Sequence, residues 1–124
     1  MKLKYIIGDI VMYNGKIMVV DEPSDSYHFD LINPKECTIC LNVEIEEIKQ
    51  VPLKPSWLEK NGWELSHGFY CSPNEEGVGV SLSSQTGYVW DAYTGGRPLR
   101  SNINSVSDLQ HLLFGLDINH EMEV

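Results

Sequence analysis

The sequence predicts an α+β protein, with short strands through its first half, an antiparallel meander after it, and one amphipathic helix near the end. Three observations carry this. Asn14-Gly15 lies between two apolar runs, residues 9–13 and 16–20, the pattern of a two-residue hairpin whose turn residues both take positive φ. Short β-branched and aromatic runs then recur between Gly-, Pro- and Asn-rich spacers. Val106, Leu109, Leu112, Leu113 and Leu116 fall on one stripe about 120° wide, at helical and not strand spacing.

After the hairpin, the polar loop Asp21-Glu22-Pro23-Ser24-Asp25-Ser26 leads into residues 27–32. There Tyr27, Phe29 and Leu31 alternate with His28 and Asp30, so the first three share a face. Asn33-Pro34 breaks that run, and residues 38–43 form a fourth strand. Glu46-Glu47 interrupts the alternation, which predicts a single 3₁₀ turn over 45–48. Residues 49–53 are a short last strand, and Pro52, which cannot donate to a ladder, puts it at an edge. Four or five short strands, a tight hairpin and a 3₁₀ turn before the last strand resemble an SH3-like β-barrel, expected over residues 1–54.

Residues 55–124 are expected to form an α+β subdomain packed with the barrel as one unit. Pro55 suits the first turn of a helix, Trp57-Leu58-Glu59-Lys60 continues it, and Asn61-Gly62 ends it. Trp63 and Leu65 begin a strand. Phe69-Tyr70-Cys71, Val78-Gly79-Val80-Ser81-Leu82 and Tyr88-Val89-Trp90-Asp91-Ala92-Tyr93 extend it into a meander. Thr94-Gly95-Gly96-Arg97-Pro98 reads as a loop. Ser105 caps a helix of about 105–116, and Asp108 suits the positive helix end. The leucine stripe is expected against the meander. Residues 118–124, with Ile118, Met122 and Val124 apolar, are expected to return as a strand.

A chain that is 42% hydrophobic and 22% charged is too apolar for disorder, and 124 residues suffice for one domain or two small lobes. Nine Lys plus Arg against 18 Asp plus Glu, a net charge of −9, argue against direct nucleic-acid binding, which needs clustered positive charge. The apolar stretch after Lys2 and Lys4 is too short for a signal-peptide core, and no run approaches the roughly 20 residues that span a bilayer. A cytoplasmic location without membrane contact is therefore expected, with Cys37, Cys40 and Cys71 as free thiols.

Three stretches together carry a resemblance: Gly8-Asp9-Ile10-Val11 with the Asn14-Gly15 hairpin; Val51-Pro52-Leu53-Lys54-Pro55-Ser56-Trp57-Leu58-Glu59-Lys60-Asn61-Gly62-Trp63; and Ser107-Asp108-Leu109-Gln110-His111-Leu112-Leu113. They are similar to a group of small uncharacterised phage- or mobile-element-associated proteins of gut anaerobic bacteria. The resemblance covers most of the chain and implies a shared fold, with no activity to carry over. Lys54 stands where those sequences place a helix-capping Thr, which implies a weaker cap, and residues 93–102 depart from the pattern.

Chemistry-bearing residues are dispersed. Cys37-x-x-Cys40 with His67 and Cys71 has the ligand types for zinc, but residues three apart on a strand face opposite ways, and Thr38-Ile39 favours extension over a knuckle. No metal or other cofactor is expected. His28, His67, His111 and His120 lack a H-E-x-x-H spacing, no Gly-x-Ser-x-Gly elbow is present, and Thr94-Gly95-Gly96-Arg97 lacks the ending of a phosphate loop. Glu46-Glu47 and Glu75-Glu76 read as surface-turn acids, and His111, away from the leucine stripe, as solvent-exposed. No catalytic residue is assigned.

Tyr88, Trp90, Tyr93 and Arg97 crowd one segment, and Phe114 lies at the margin of the helical stripe. Aromatic residues and Arg are the types enriched at interface hot spots, so these five are the candidate partner contacts. Trp90 reads first as the core aromatic of the meander. The expected function is a non-enzymatic protein-interaction module, its partner an unknown protein or a second copy. The alternatives are an acidic decoy that occupies a nucleic-acid-binding protein surface, and a small hydrolase without a recognisable motif.

Overall fold

The computed structural model describes residues 5–23, 25, 27–73, 79–116 and 122. By its contacts the chain forms two units, residues 1–51 with 105–122 and 124, and residues 52–104 with 123. Each contains a five-stranded antiparallel sheet. The C-terminal helix falls in the first unit, with the first sheet and not with the meander.

The first sheet comprises β1 (Ile10–Tyr13), β2 (Lys16–Pro23), β3 (His28–Asn33), β4 (Thr38–Glu44) and β5 (Lys49–Gln50), in the order β4-β3-β2-β1-β5. Asn14 and Gly15 join β1 to β2 with φ of 54° and 77°, the primed turn that matches strand twist. Alternation then sends Val11, Met18, Val20, Phe29 and Leu31 into one core, where Tyr5 meets Phe29 edge to face with ring centroids 5.6 Å apart. Asn42, at φ 54°, interrupts β4 opposite Asp30, whose Oδ1 accepts its N–H at 3.0 Å. A 3₁₀ turn, Ile45–Glu47, precedes β5 as expected.

The expected closed barrel is corrected: the sheet is open. Among the described residues β4 and β5 are its edges and do not pair. The two residues of β5 are taken up by β1, through Val11↔Gln50 and Met12↔Lys49. The backbone then leaves, and the C=O of Val51 accepts the N–H of Val106 at 2.8 Å.

The second unit begins with α1 (Pro55–Lys60), which has Pro at its start and no side-chain cap from Lys54. Lys54→Thr is expected to raise stability by about 0.5–1 kcal/mol in a urea melt, because Lys54 already has the extended backbone of a cap residue. Gly62, at φ 85°, ends the turn, and the meander follows as β6 (Glu64–Ser66), β7 (Phe69–Cys71), β8 (Ser81–Ser83), β9 (Trp90–Thr94) and β10 (Arg97–Ile103), in the order β10-β9-β8-β7-β6. Leu58, Trp63, Tyr70, Leu82, Trp90, Ala92 and Ile103 are buried.

β10 replaces the loop expected from Thr94 onward. Gly95 and Gly96, at φ 55° and 79°, make a second tight turn, and the chain doubles back along β9 with register shifts on both sides of Arg100. Tyr88 and Val89 are not in β9, which starts at Trp90. Ser84 Oγ donates to the Val89 carbonyl at 2.6 Å and accepts from Gly87 N, which ties those residues into the preceding turn.

The last described element is α2 (Val106–Gly115), close to the expected 105–116. Ser105 Oγ accepts the Asp108 N–H at 3.1 Å. Ser105→Ala is expected to cost about 1 kcal/mol, read from the thermal midpoint. The expected strand over 118–124 falls, Met122 apart, on residues outside the described ones.

Candidate interaction surface and a buried polar cluster

The structure separates the five candidate contacts. Trp90 is buried, its indole N–H donating to the Leu53 carbonyl at 2.8 Å, so it is a core residue of the second unit. Tyr88 is 70% exposed and Arg97 is exposed at the start of β10. Tyr93 is half-buried on β9. Phe114, 57% exposed, is on α2 and thus in the other unit.

Tyr93 organises a surface. On β9, Trp90 and Ala92 face the core, and Asp91 and Tyr93 take the opposite, solvent face. The ladder sets Ser81 of β8 opposite Tyr93, and Cys71 of β7 opposite Ser81. Phe69 shares that face, two residues from Cys71. Its ring reaches Tyr93 across the small serine, with centroids 5.8 Å apart and planes at 87°. Beside this pair, the irregular register of β10 opens a cleft of about 400 Å³ lined by Asp91, Tyr93, Pro98, Leu99, Arg100 and Ser101. A bulge turns side chains out of strict alternation, which is how Leu99 and Arg100 come to flank one ring. Phe69 and Leu99 escape the sequence reading. The signal that would have found Leu99 is Gly95-Gly96, read as a hairpin turn that lays 97–103 beside 90–94.

The first unit holds a polar cluster where α2 meets β1. Asp9 is fully buried. Its Oδ2 accepts the Ile6 N–H at 2.9 Å and lies 2.6 Å from His111 Nε2, and its Oδ1 accepts no hydrogen bond among the described residues. Neighbouring Gln110 is also buried. Its Oε1 accepts the Ile10 N–H at 2.8 Å and its Nε2 donates to the Gly8 carbonyl at 2.7 Å. Burial, and then the carboxylates of Asp9 and Asp108, push the Tyr5 phenol above its ordinary value. His111 is therefore not simply solvent-facing: its side chain is 31% exposed and one nitrogen is engaged. The carboxylate orients the imidazole as in acid–base pairs, but the nearby hydroxyls of Ser105 and Ser107 are turned to each other at 3.3 Å. The cluster's evident work is to satisfy two backbone groups of β1 and its lead-in with α2 side chains.

Cys37 and Cys40 are in the first unit, His67 and Cys71 in the second. Among the described residues no three His, Cys, Asp or Glu side chains gather as metal ligands. Among the same residues no helix is long and apolar enough to cross a membrane.

At the mouth of β3, His28 Nδ1 lies 2.9 Å from Asp25 Oδ1, which also accepts the Tyr27 N–H. The hydrogen bond to Asp25 raises the His28 pKa, and the Tyr27 backbone N–H followed by the His28 bond lowers that of Asp25. A raised histidine contributes below its ordinary pKa and loses the contribution as pH rises through the raised value. A lowered carboxylate contributes above its ordinary pKa and loses it as pH falls through the lowered one. The pair therefore acts between the ordinary carboxylate and histidine values, about 4 to 6.5. Asp25→Asn is expected to bring the His28 NMR titration back down; a curve that does not move would contradict the pairing.

Comparison with protein-family models, with curated proteins and with solved structures found no match to this chain.

Proposed function

We propose that the protein is a non-enzymatic, cytoplasmic protein-interaction module associated with phage or mobile elements, and that it recognises its partner through the solvent face of the second sheet. The observation that carries this is the Phe69–Tyr93 pair beside the Tyr93–Leu99–Arg100 cleft. Aromatic rings held by a rigid sheet lose little entropy on binding, and Tyr and Arg are common anchors at interfaces. For the first unit we propose an SH3-like arrangement of strands, with the barrel left open. Its support is the five-strand order, the tight hairpin and the 3₁₀ turn before the last strand.

Affinity capture from the cells that make the protein, comparing wild type with Leu99→Glu and Phe114→Glu, tests the reading. Discrete proteins lost only with Leu99→Glu, together with amide-exchange protection over residues 91–101 in the complex, are the expected result. Capture unaffected by Leu99→Glu would retire the proposed face.

A second reading rests on charge. The first unit carries twelve acidic against five basic residues, the stretch 52–104 five against four. That excess favours a decoy for a basic protein surface, whose binding should weaken steeply with salt.

A further inference from the structure

We propose that the open edge of β4 takes an added strand from a partner protein: an extended apolar segment with basic residues at its N-terminal end, paired antiparallel over residues 38–41. The site is in the first unit and is independent of the face on the second sheet.

The backbone is the first argument. An edge strand turns the N–H and C=O of alternate residues outward, where they template a further strand unless charge, proline or irregularity blocks it. β5, at the other edge of the first sheet, has two residues, and β6, at one edge of the second, has three. β10 contains Pro98, shifts register with β9 twice and has Asn102 at φ 59°. Thr38-Ile39-Cys40-Leu41 on β4 has no proline and no charged residue. Asn42, at φ 54° and with its N–H already given to Asp30 Oδ1, ends the straight stretch. Cys40 packs on the core side, so Ile39 and Leu41 share the opposite face, where they are 60% and 70% exposed. Ile39 is opposite Ile32, and Ile32 opposite Val19, so Ile39 extends an apolar row across three strands. Apolar side chains at alternate positions of an added strand continue that row past the edge.

Charge decides the occupant and its direction. Residues 36–48 contain four acids and no base. Glu36, at the start of the edge, is paired with Lys16 at 2.9 Å. Glu44, at its end, is opposite His28, which Asp25 already holds. Glu46 and Glu47 follow in the 3₁₀ turn, exposed and with no ion pair among the described residues. Such a turn rises only about 2 Å per residue, so the backbone of these three acids fits within one Debye length, roughly 8 Å at physiological salt. One end of the edge is therefore negative and the other compensated. An antiparallel strand begins beside the negative end, so its basic residues come first. A second copy fits less well: self-pairing centred on Cys40 sets Glu44 opposite Glu36 and joins two chains of net charge −9. A docked helix bonds its own backbone and leaves the outward groups of β4 unpaired.

Fluorescence anisotropy on the full chain tests this, with a labelled peptide of two lysines followed by alternating valine and threonine. The expected result is saturable binding that weakens with added salt. It falls tenfold or more when alternate peptide nitrogens are methylated, which removes donors and keeps the side chains. It falls similarly with Leu41→Lys, since a lysine blunts an edge, and severalfold with Glu46→Gln combined with Glu47→Gln. Circular dichroism should show these variants folded, because all three positions are exposed. No binding overturns the inference, as do equal binding of the methylated peptide, an unchanged affinity for Leu41→Lys, or equal or tighter binding of the peptide with its lysines at the C-terminal end. Sedimentation of the chain as a dimer that Leu41→Lys dissociates would give the edge to a second copy and overturn it too.

Discussion

Replacing His111 by leucine will destabilise the first unit by roughly 3 kcal/mol, because it removes the main partner of a carboxylate that has no access to water. Asp9 would keep only the Ile6 N–H on Oδ2, with Oδ1 already lacking an acceptor bond among the described residues. Amide exchange at Ile10 is the sensitive probe, since its N–H is held by the adjacent Gln110. Asp9→Leu combined with His111→Leu should be less damaging than the sum of the two single changes, because no buried charge is then left unpaired. A His111→Leu protein as stable as wild type would refute the assignment of His111 as the main support of the Asp9 carboxylate.

Trp90→Ala will cost about 3–5 kcal/mol, the range for emptying a buried aromatic site. It removes the edge-to-face contact with Tyr70, at 5.9 Å between centroids, and the bond to the Leu53 carbonyl. The remaining tryptophans, Trp57 and Trp63, lie in the same unit and report its unfolding by fluorescence. Tyr88→Ala, two residues earlier and mostly exposed, should stay within about 0.5 kcal/mol of wild type. Equal effects at the two positions would refute the assignment of Trp90 to the core. Loss of a partner with Trp90→Ala would report unfolding and not a broken contact, so Tyr93 and Leu99 are the informative sites.

These contrasts show which features are legible locally. Asn14-Gly15, Pro55 and Ser105 each act on their immediate neighbours, and each does what its chemistry dictates. The leucine stripe told that α2 has a buried face, but a stripe carries no address. Pairing with the first sheet is decided by Gln110 and His111, which meet groups about a hundred positions away. β10 was obscured because Arg97, Pro98 and Arg100 break the alternation that marks a strand, and the break is what forms the cleft. Tyr88 and Trp90 have strand spacing, yet the hydroxyls of Ser84 and Thr86 hold the chain in a turn until residue 90. Whether a sheet closes depends on its first and last strands finding each other, which no window of neighbouring residues encodes.

The bonds from α2 to Gly8, Asp9 and Ile10 span 100 to 102 residues, and all of 52–104 lies between. On the ribosome, the earliest sheet to be translated therefore waits for the latest helix. The intervening stretch forms a compact unit of its own and can settle while its predecessor is still incomplete. A nascent chain stalled before Ser105 would display an unfinished first sheet, with a buried-type aspartate and open amide groups exposed to whatever chaperone or protease arrives first.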